Sequence, residues 1–346
     1  MTPPTDFLVF SDAHGLVPLA HRLRLHKAPT ELIIRKKSFE RAWNGKITKI
    51  LRKQDGTLND ENLNVARQRV ANGETYLLTD VPRLPNFEGP GIFGRCEFDQ
   101  KPESAARAGA WFDGEFLRGH HLLVLDLGAW PGGLGPQVAG GATLIIPPLD
   151  MDMSFMDQLW EPVVGELKAR GFKGLVQAGL QQSAETGEVE LHGVAAGWPW
   201  LHTHAWLSEL TNFDRVLTGS PPRFEQGFRY VVVLPVSVPP WPVWPVQRQA
   251  LAEALPVGGL SRRDASHWFW HDVTIDEQTG EIHSAGQDGL LGVARGSGHH
   301  LELARASALG QAVKLTAPGK QLRHDVAAQT SGVLASLELR FGLKLG

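Results

Sequence analysis

The sequence predicts an α/β protein with a parallel sheet at its N-terminal end, and three observations lead there. Between residues 6 and 80, short apolar runs alternate with stretches of helical periodicity, the pattern of strands crossing over through helices into a parallel sheet. Further along, strand-like runs meet at Asp113-Gly114 and Thr186-Gly187, the signature of hairpins. Hydrophobic residues make up 42% and charged residues 21% of 346, a composition that supports packed cores and not a disordered chain.

The elements follow in order. Asp6–Asp12 reads as a buried strand, and His14 to about Lys27 as a helix with Leu16, Leu19, Ala20 and Leu23 on one face. Glu31–Arg35 and Ile47–Leu51 read as strands, Asn59–Asn72 as a helix stopped by Gly73, and Thr75–Asp80 as a fourth strand. Pro82–Gly94 is proline- and glycine-rich and reads as a linker. Ala110–Phe116 is a hairpin around Asp113-Gly114, His121–Leu125 a strand, and Gly128–Gly141 a glycine-rich loop. Met153–Arg170 is an amphipathic helix with Pro162 placed to kink it. Lys173–Leu180 and Glu188–Val194 form a hairpin, and Thr203–Leu217 a single helix. Val231–Val238 is a strand running into a rigid proline loop at 239–245. His267–Val273 and Asp288–Arg295 are strands, and His299–Leu315 is a helix.

Lys and Arg number 34 against 37 Asp and Glu, a net charge of −3 that gives no long-range attraction to nucleic-acid phosphates. No apolar run is long enough to span a bilayer, and the start lacks a signal-peptide pattern. The one cysteine, Cys96, excludes a disulfide framework and a multi-cysteine zinc site, and fits a reducing cytoplasm; it has no activating neighbour and reads as structural.

Several motifs then carry a resemblance. Ser11-Asp12-Ala13-His14-Gly15-Leu16 stands at the first strand-to-helix turn. Ala110-Trp111-Phe112-Asp113-Gly114-Glu115 forms the hairpin, and Asp126-Leu127-Gly128-Ala129-Trp130-Pro131-Gly132-Gly133-Leu134-Gly135 the glycine loop. Gly174–Leu180, Ala285–Val293 and Gln321-Leu322-Arg323-His324-Asp325-Val326 follow. In this order, across most of 6–327, they resemble the ATP-grasp ligases, and among them glycinamide ribonucleotide synthetase and its viral and archaeal relatives. The resemblance implies a Rossmann-like domain at 1–81, a linker at 82–109 in place of the ATP-lid subdomain, a truncated ATP-grasp α+β core at 110–227 and a small synthetase-like α+β domain at 228–346.

It also implies chemistry that the residues contradict. The family makes an acyl phosphate under a lysine-bearing lid, with carboxylates holding magnesium. Between Asp80 and the hairpin no Lys-Pro-x-Gly strand with a following glycine-rich lid is present, and Lys101-Pro102 is out of order for it. Aligned on Gly197 and Pro199, the family's magnesium-binding Glu and Asn become Leu191 and Gly193. Its Arg becomes Ala195, and its Asp and last Glu become Trp198 and Trp200. Apolar side chains cannot bind a hard cation. Glu190, one residue off, would point to the opposite face of the strand.

The reading is therefore a degenerate ATP-grasp protein without ligase activity, serving in binding or structure and needing neither ATP nor magnesium. Gly132, Gly133 and Gly135 are the candidate phosphate or substrate loop, since backbone amides need no side chain. One alternative is a working carboxylate–amine ligase of purine or nucleotide metabolism, using ATP and magnesium with Glu190 as a metal ligand. Another is a phage-encoded virion or modification-pathway component in a host cytoplasm. Exposed tryptophans would favour a protein partner or self-association.

Other residues carry sharper and blander readings. His202 and His204 suggest metal ligands, but residues two apart on a helix do not face one another, so they read as structural. His120-His121 reads as a surface turn and His299-His300 as a helix cap. Gly296-Ser297-Gly298 reads as a strand-to-helix turn, with anion binding as the alternative. At least half of Trp241, Trp244, Trp268 and Trp270 read as core. Arg22, Arg24 and Lys36-Lys37 read as a solvated face, and Arg262-Arg263 as a loop.

Overall fold

A computed structural model of the chain describes residues 6–11, 15–25, 27–34, 60–81, 91–92, 104–146, 154–183, 187–225, 227–242, 253–261, 263–276 and 278–341. The expected strand at Ile47–Leu51, Cys96, Lys101-Pro102, Lys36-Lys37, Trp244 and Arg262 lie outside these residues.

Strand β1 (Asp6–Ser11), helix α1 (Val17–Leu25), β2 (Thr30–Ile34), α2 (Asp60–Ala71) and β3 (Thr75–Thr79) form the expected parallel unit. Its sheet order is β2-β1-β3-β4, where β4 (Gly91–Ile92) is a two-residue strand inside the stretch read as a linker. Leu8, Phe10, Leu77 and Val70 pack on one face under α2, while Phe7, Val9, Leu19 and Leu23 face the remainder of the chain. The apolar runs are continuous because both faces of this sheet are covered.

A second, antiparallel sheet forms the body. It takes β5 (Ala106–Phe112), β6 (Leu117–Trp130), β7 (Leu134–Ile145), then, after helix α3 (Ser154–Ala169), β8 (Gly174–Gln182) and β9 (Val189–Gly197). Helices α4 (Trp200–Glu209) and α5 (Phe213–Leu217) precede β10 (Tyr230–Ser237). A small sheet follows from β11 (Glu253–Val257), with β12 (Trp268–Trp270) returning to the large sheet and β13 (Val273–Ile275) and β14 (Ile282–Ala285) completing the small one. The chain ends with β15 (Leu290–Gly298), α6 (Leu301–Lys314), β16 (Gln321–Leu322) and α7 (Thr330–Phe341). The large sheet runs β12-β15-β10-β7-β6-β5-β8-β9, with β16 also on β10.

Strand alternation sends residues to two cores. Ala108, Ala110, Phe112, Val176, Val232 and Leu234 meet α3, α6 and α7 on one face. Trp111, Leu123, Leu175, Val231 and Val233 meet α1 and α4 on the other. Each fully buried Val, Leu or Phe among them contributes about 1.5–3 kcal/mol relative to exposure. The space between the parallel sheet and the large sheet is thus filled by α1 and α4.

Three expectations change. Gly128–Gly141 is not a loop: β6 and β7 continue as a long paired arm whose tip is a 3₁₀ turn at Pro131–Gly133. Gly132, Gly133 and Gly135 all have positive φ there, which a turn of this shape requires. Thr203–Leu217 is two helices, because the Asn212 side chain bonds the Arg223 N–H and the Pro221 carbonyl, a local alternative to the helix ladder. His267–Val273 splits between two sheets at His271-Asp272. Pro162 lies inside helix α3, as the sequence predicts.

Candidate functional site

Two of the motifs, far apart in sequence, meet where the β6–β7 arm lies against the segment after β16. Arg323, buried, donates from Nη1 to the Gly128 carbonyl at 2.8 Å and from Nε to Asp325 Oδ1 at 2.8 Å. Its Nη2 lies 3.5 Å from Asp126 Oδ1, and Asp126 Oδ2 accepts the Ala327 N–H at 2.9 Å. Burial pushes the Asp126 carboxyl up, opposed by the Ala327 amide and the Arg323 charge. At the arm's tip the Gly132 N–H donates to Asp325 Oδ2 at 2.7 Å. Asp325 sits below its ordinary value: partial burial works against this, and the bonds from Arg323 and the Gly132 amide outweigh it.

The candidate loop residues are therefore placed as follows. Gly132 already has a carboxylate of its own chain on its amide. Gly133 is exposed with open space at its Cα, and Gly135 lies against the ring of Trp130. Beside them a cavity of about 440 Å³ is lined by Trp130, Gly140, Ser237, Trp241, Lys320 and Arg323 among others. Ser237 Oγ donates to Gln321 Oε1 at 3.2 Å. Lys320 Nζ donates to the Leu315 carbonyl at 2.6 Å and the Val313 carbonyl at 3.1 Å, capping α6 with a positive charge, and burial lowers its ammonium. Trp130 stands 45% exposed at the cavity's mouth. Ser237 and Lys320 were not singled out by sequence; no motif marks them, and only the pairing of β16 with β10 brings them in.

The strand aligned with the magnesium site is elsewhere. β9 is the edge of the large sheet, and β5 and β8 separate it from the arm. Val189 and Leu191 pack toward the α3 core while Glu190 between them is exposed. At Gly193, with φ of 61°, the strand bulges: His192 pairs with Gly179 and Val194 with Ala178, so the extra residue resets the alternation. Ala195 follows, opposite Gln177. Trp198 donates its indole N–H to the Thr79 carbonyl at 3.0 Å, at the carboxyl end of the parallel sheet. Trp198 also meets Trp111 at 6.5 Å between ring centres, and Trp111 stacks on Trp206 of α4 at 5.0 Å and 9°. Trp200 packs on Trp241 at 6.1 Å. Among the described residues no group of three or more His, Cys, Asp or Glu is placed to hold a metal ion.

The remaining candidates resolve into packing, with corrections. His202 and His204 do face different ways: His202 Nε2 meets His121 Nε2 at 2.6 Å, and His204 Nε2 meets His271 Nε2 at 2.9 Å. His120-His121 is not a surface turn but strand β6, with His121 buried, because its alternation faces α4. His300 precedes α6 as its cap residue. Gly296 and Gly298 lie within β15, where added side chains would strike the backbone of α6. Trp268 and Trp270 are core and stack at 5.1 Å, whereas Trp241 lines the cavity. Arg22 is not solvated: it covers the Phe269 ring, donates to the Ser266 carbonyl, and burial lowers it to about 10. At the N-terminal turn, Ser11 Oγ donates to Asp80 Oδ2 at 2.6 Å; Asp12, Ala13 and His14 lie outside the described residues.

No family model matches this sequence, and no curated protein matches it at the sequence level. Solved structures do match. Pyruvate carboxylase from Rhizobium etli gives a TM-score of 0.55 at 9% identity, over 98% of this chain and 38% of that one. Urea carboxylase from Kluyveromyces lactis gives 0.54 at 11%, over 97% of this chain and 32% of that one, so the chain spans about a third of these two enzymes. With the parallel sheet joined to a broad antiparallel one, this is the fold of the ATP-grasp ligases. One likeness extends over the whole of the matched chain: phosphoribosylamine–glycine ligase from Thermotoga maritima, with a TM-score of 0.51 at 12% identity, over 93% of this chain and 100% of that one. In all described residues, no helix is long and apolar enough to cross a membrane.

Proposed function

We propose that this chain keeps the ATP-grasp scaffold without its ligase chemistry and works as a binding protein. The observation that carries the reading is the tryptophan packing at the end of β9. Where the resemblance calls for the magnesium-binding Glu, Leu191 packs into the core, and where it calls for a further carboxylate, Trp198 is bonded to Thr79 and joined to the Trp111–Trp206 stack. Indole and alkyl groups offer no oxygen to a hard cation, so the residues present do not fit the metal. Burial of apolar rings there also removes the cost of unpaired carboxylates in a closed space.

The binding seat is the cavity between the arm and the C-terminal segment, with Trp130 and Trp241 as ring-stacking walls and Arg323 held rigid beneath. The exposed Trp130 and Leu134 on the arm support a partner or self-association as part of that role. The test is ADP release with panels of amino acids and amines. No turnover above background is expected. Turnover that disappears in Glu190→Gln would replace this reading by a ligase with Glu190 as its metal ligand.

A further inference from the structure

Helix α4 is buried along its whole length, yet it carries two histidines in its middle, and each is bonded to a histidine from a different part of the chain. The protons in these pairs are assigned by the carbonyls behind them. His121 Nδ1 meets the Gly119 carbonyl at 2.8 Å; a carbonyl only accepts, so Nδ1 carries the proton and the neutral ring's Nε2 accepts from His202 Nε2–H. In the same way His204 Nδ1 donates to the Trp200 carbonyl at 3.0 Å, and its Nε2 accepts from His271. Each chain of bonds works only while the accepting ring is neutral. Protonation gives both facing nitrogens a hydrogen and turns the bond into a clash of donors.

We propose that α4 is an acid-released latch: the pairs His121–His202 and His204–His271 pin it across the large sheet at neutral pH, and protonation of the accepting rings frees it. What α4 carries makes the release consequential. Trp206 and the preceding Trp198 and Trp200 leave with it, reopening the space against Thr79 and Trp111.

Among the described residues, the charges that act on His121 and His202 lower them further. His120, the preceding residue of β6 and bonded to Asp157 of α3, acts on His121 as a like charge, Arg107 of β5 acts likewise on His202, and the Phe269 ring of β12 covers His204 edge-on. At the end of α4, Glu209 is paired to Arg295, which shares that corner with Arg22. His202 Nδ1 has no hydrogen-bond partner among the described residues, and neither does Gln177 Oε1. Burial lowers His121 and His204 to about 4 and His202 well below its ordinary value. Because the folded values are depressed, the pairs hold α4 above the ordinary value of 6.5 and lose it as pH falls toward 4. Between pH 7 and pH 5.5, a ring released from about 4 to an ordinary value raises the opening constant roughly eightfold, so His121 and His204 together give roughly 60-fold, and release of His202 adds to it in the same direction.

The test is amide hydrogen exchange of the full chain over pH 7 to 5.5, corrected for intrinsic rates, with histidine C2-hydrogen exchange read alongside. The peptide spanning 198–211 is expected to lose protection at least about 60-fold while β8 and β10 keep theirs. His121 and His204 are expected to titrate below the ordinary histidine range. In the His121→Gln/His204→Gln variant the pH dependence of that peptide is expected to fall by about the same factor. The latch is overturned by protection of 198–211 that does not change with pH, by opening only together with β8 and β10, by ordinary titration of both rings, or by a variant as steep as the parent. Should the variant fail to fold, the two exchange measurements on the parent decide alone.

Discussion

Replacing Arg323 by Leu removes the centre of the network joining the arm to the C-terminal segment, and its effect follows from the geometry. The guanidinium is 3% exposed and the Asp126 side chain 8%. Arg323→Leu leaves Asp126 with the Ala327 amide and the charge of Arg305, strips Asp325 of its 2.8 Å bond, and leaves the buried Gly128 carbonyl without this donor. Breaking a buried pair from one side costs about 3–5 kcal/mol, and an orphaned carbonyl about 1–3; the two overlap because the same water can enter, so about 3–5 kcal/mol is expected in all. Urea unfolding at pH 7 measures it. Burial already raises the Asp126 carboxyl, so its neutral form is favoured in the fold as pH falls. The deficit of Arg323→Leu should therefore shrink on acidification through the carboxylate range, and Asp126→Asn should recover part of it at pH 7. A loss under about 1 kcal/mol, or a deficit indifferent to both pH and Asp126→Asn, would show that Arg323 and Asp126 do not act as a buried ion pair.

Three further outcomes are expected. Trp198→Ala should cost about 2–4 kcal/mol in thermal or urea unfolding, from a half-buried indole and its bond to Thr79, and should create no nucleotide affinity, since no carboxylate is restored. Asp272 is buried and accepts the N–H groups of Gln287, Asp288 and Gly289 at 2.8–3.0 Å, so Asp272→Ala should cost about 3–5 kcal/mol, read as a lower urea midpoint. Gly109→Ala would push a Cβ into the His121 ring, and should cost about 1–3 kcal/mol while loosening the amide protection of α4.

How far the sequence carries can be argued element by element. Asp6–Ser11, Thr30–Ile34 and Thr75–Thr79 were legible because a sheet covered on both faces must be apolar without interruption. The arm was not: Gly132, Gly133 and Gly135 read as a loop, because glycine reports backbone freedom and is silent on whether the flanking strands stay paired, which here depends on Arg323 and Asp325 nearly two hundred residues on. The split of Thr203–Leu217 rested on Asn212, whose side chain competes with the helix only because Pro221 and Arg223 return to meet it. β11, β14 and α7 were missed, the first two for lack of clean alternation and α7 because its polar face and its Gly332 blur the period.

For the site, the motifs Asp126–Gly135 and Gln321–Val326 were visible as separate pieces, and their meeting was not. The histidine pairs were illegible for a plain reason. Spacing shows that His202 and His204 diverge, but nothing in the sequence says that His121 and His271 wait on the two sides.

We propose a scaffold that has outlived its nucleotide chemistry, because fold rests on the apolar pattern and ligase activity on a few polar side chains. Titration of the full chain with ATP and magnesium in a calorimeter is then expected to give no saturable heat, with or without the metal. Saturable binding in the micromolar range that requires magnesium and is lost in Glu190→Gln would contradict it.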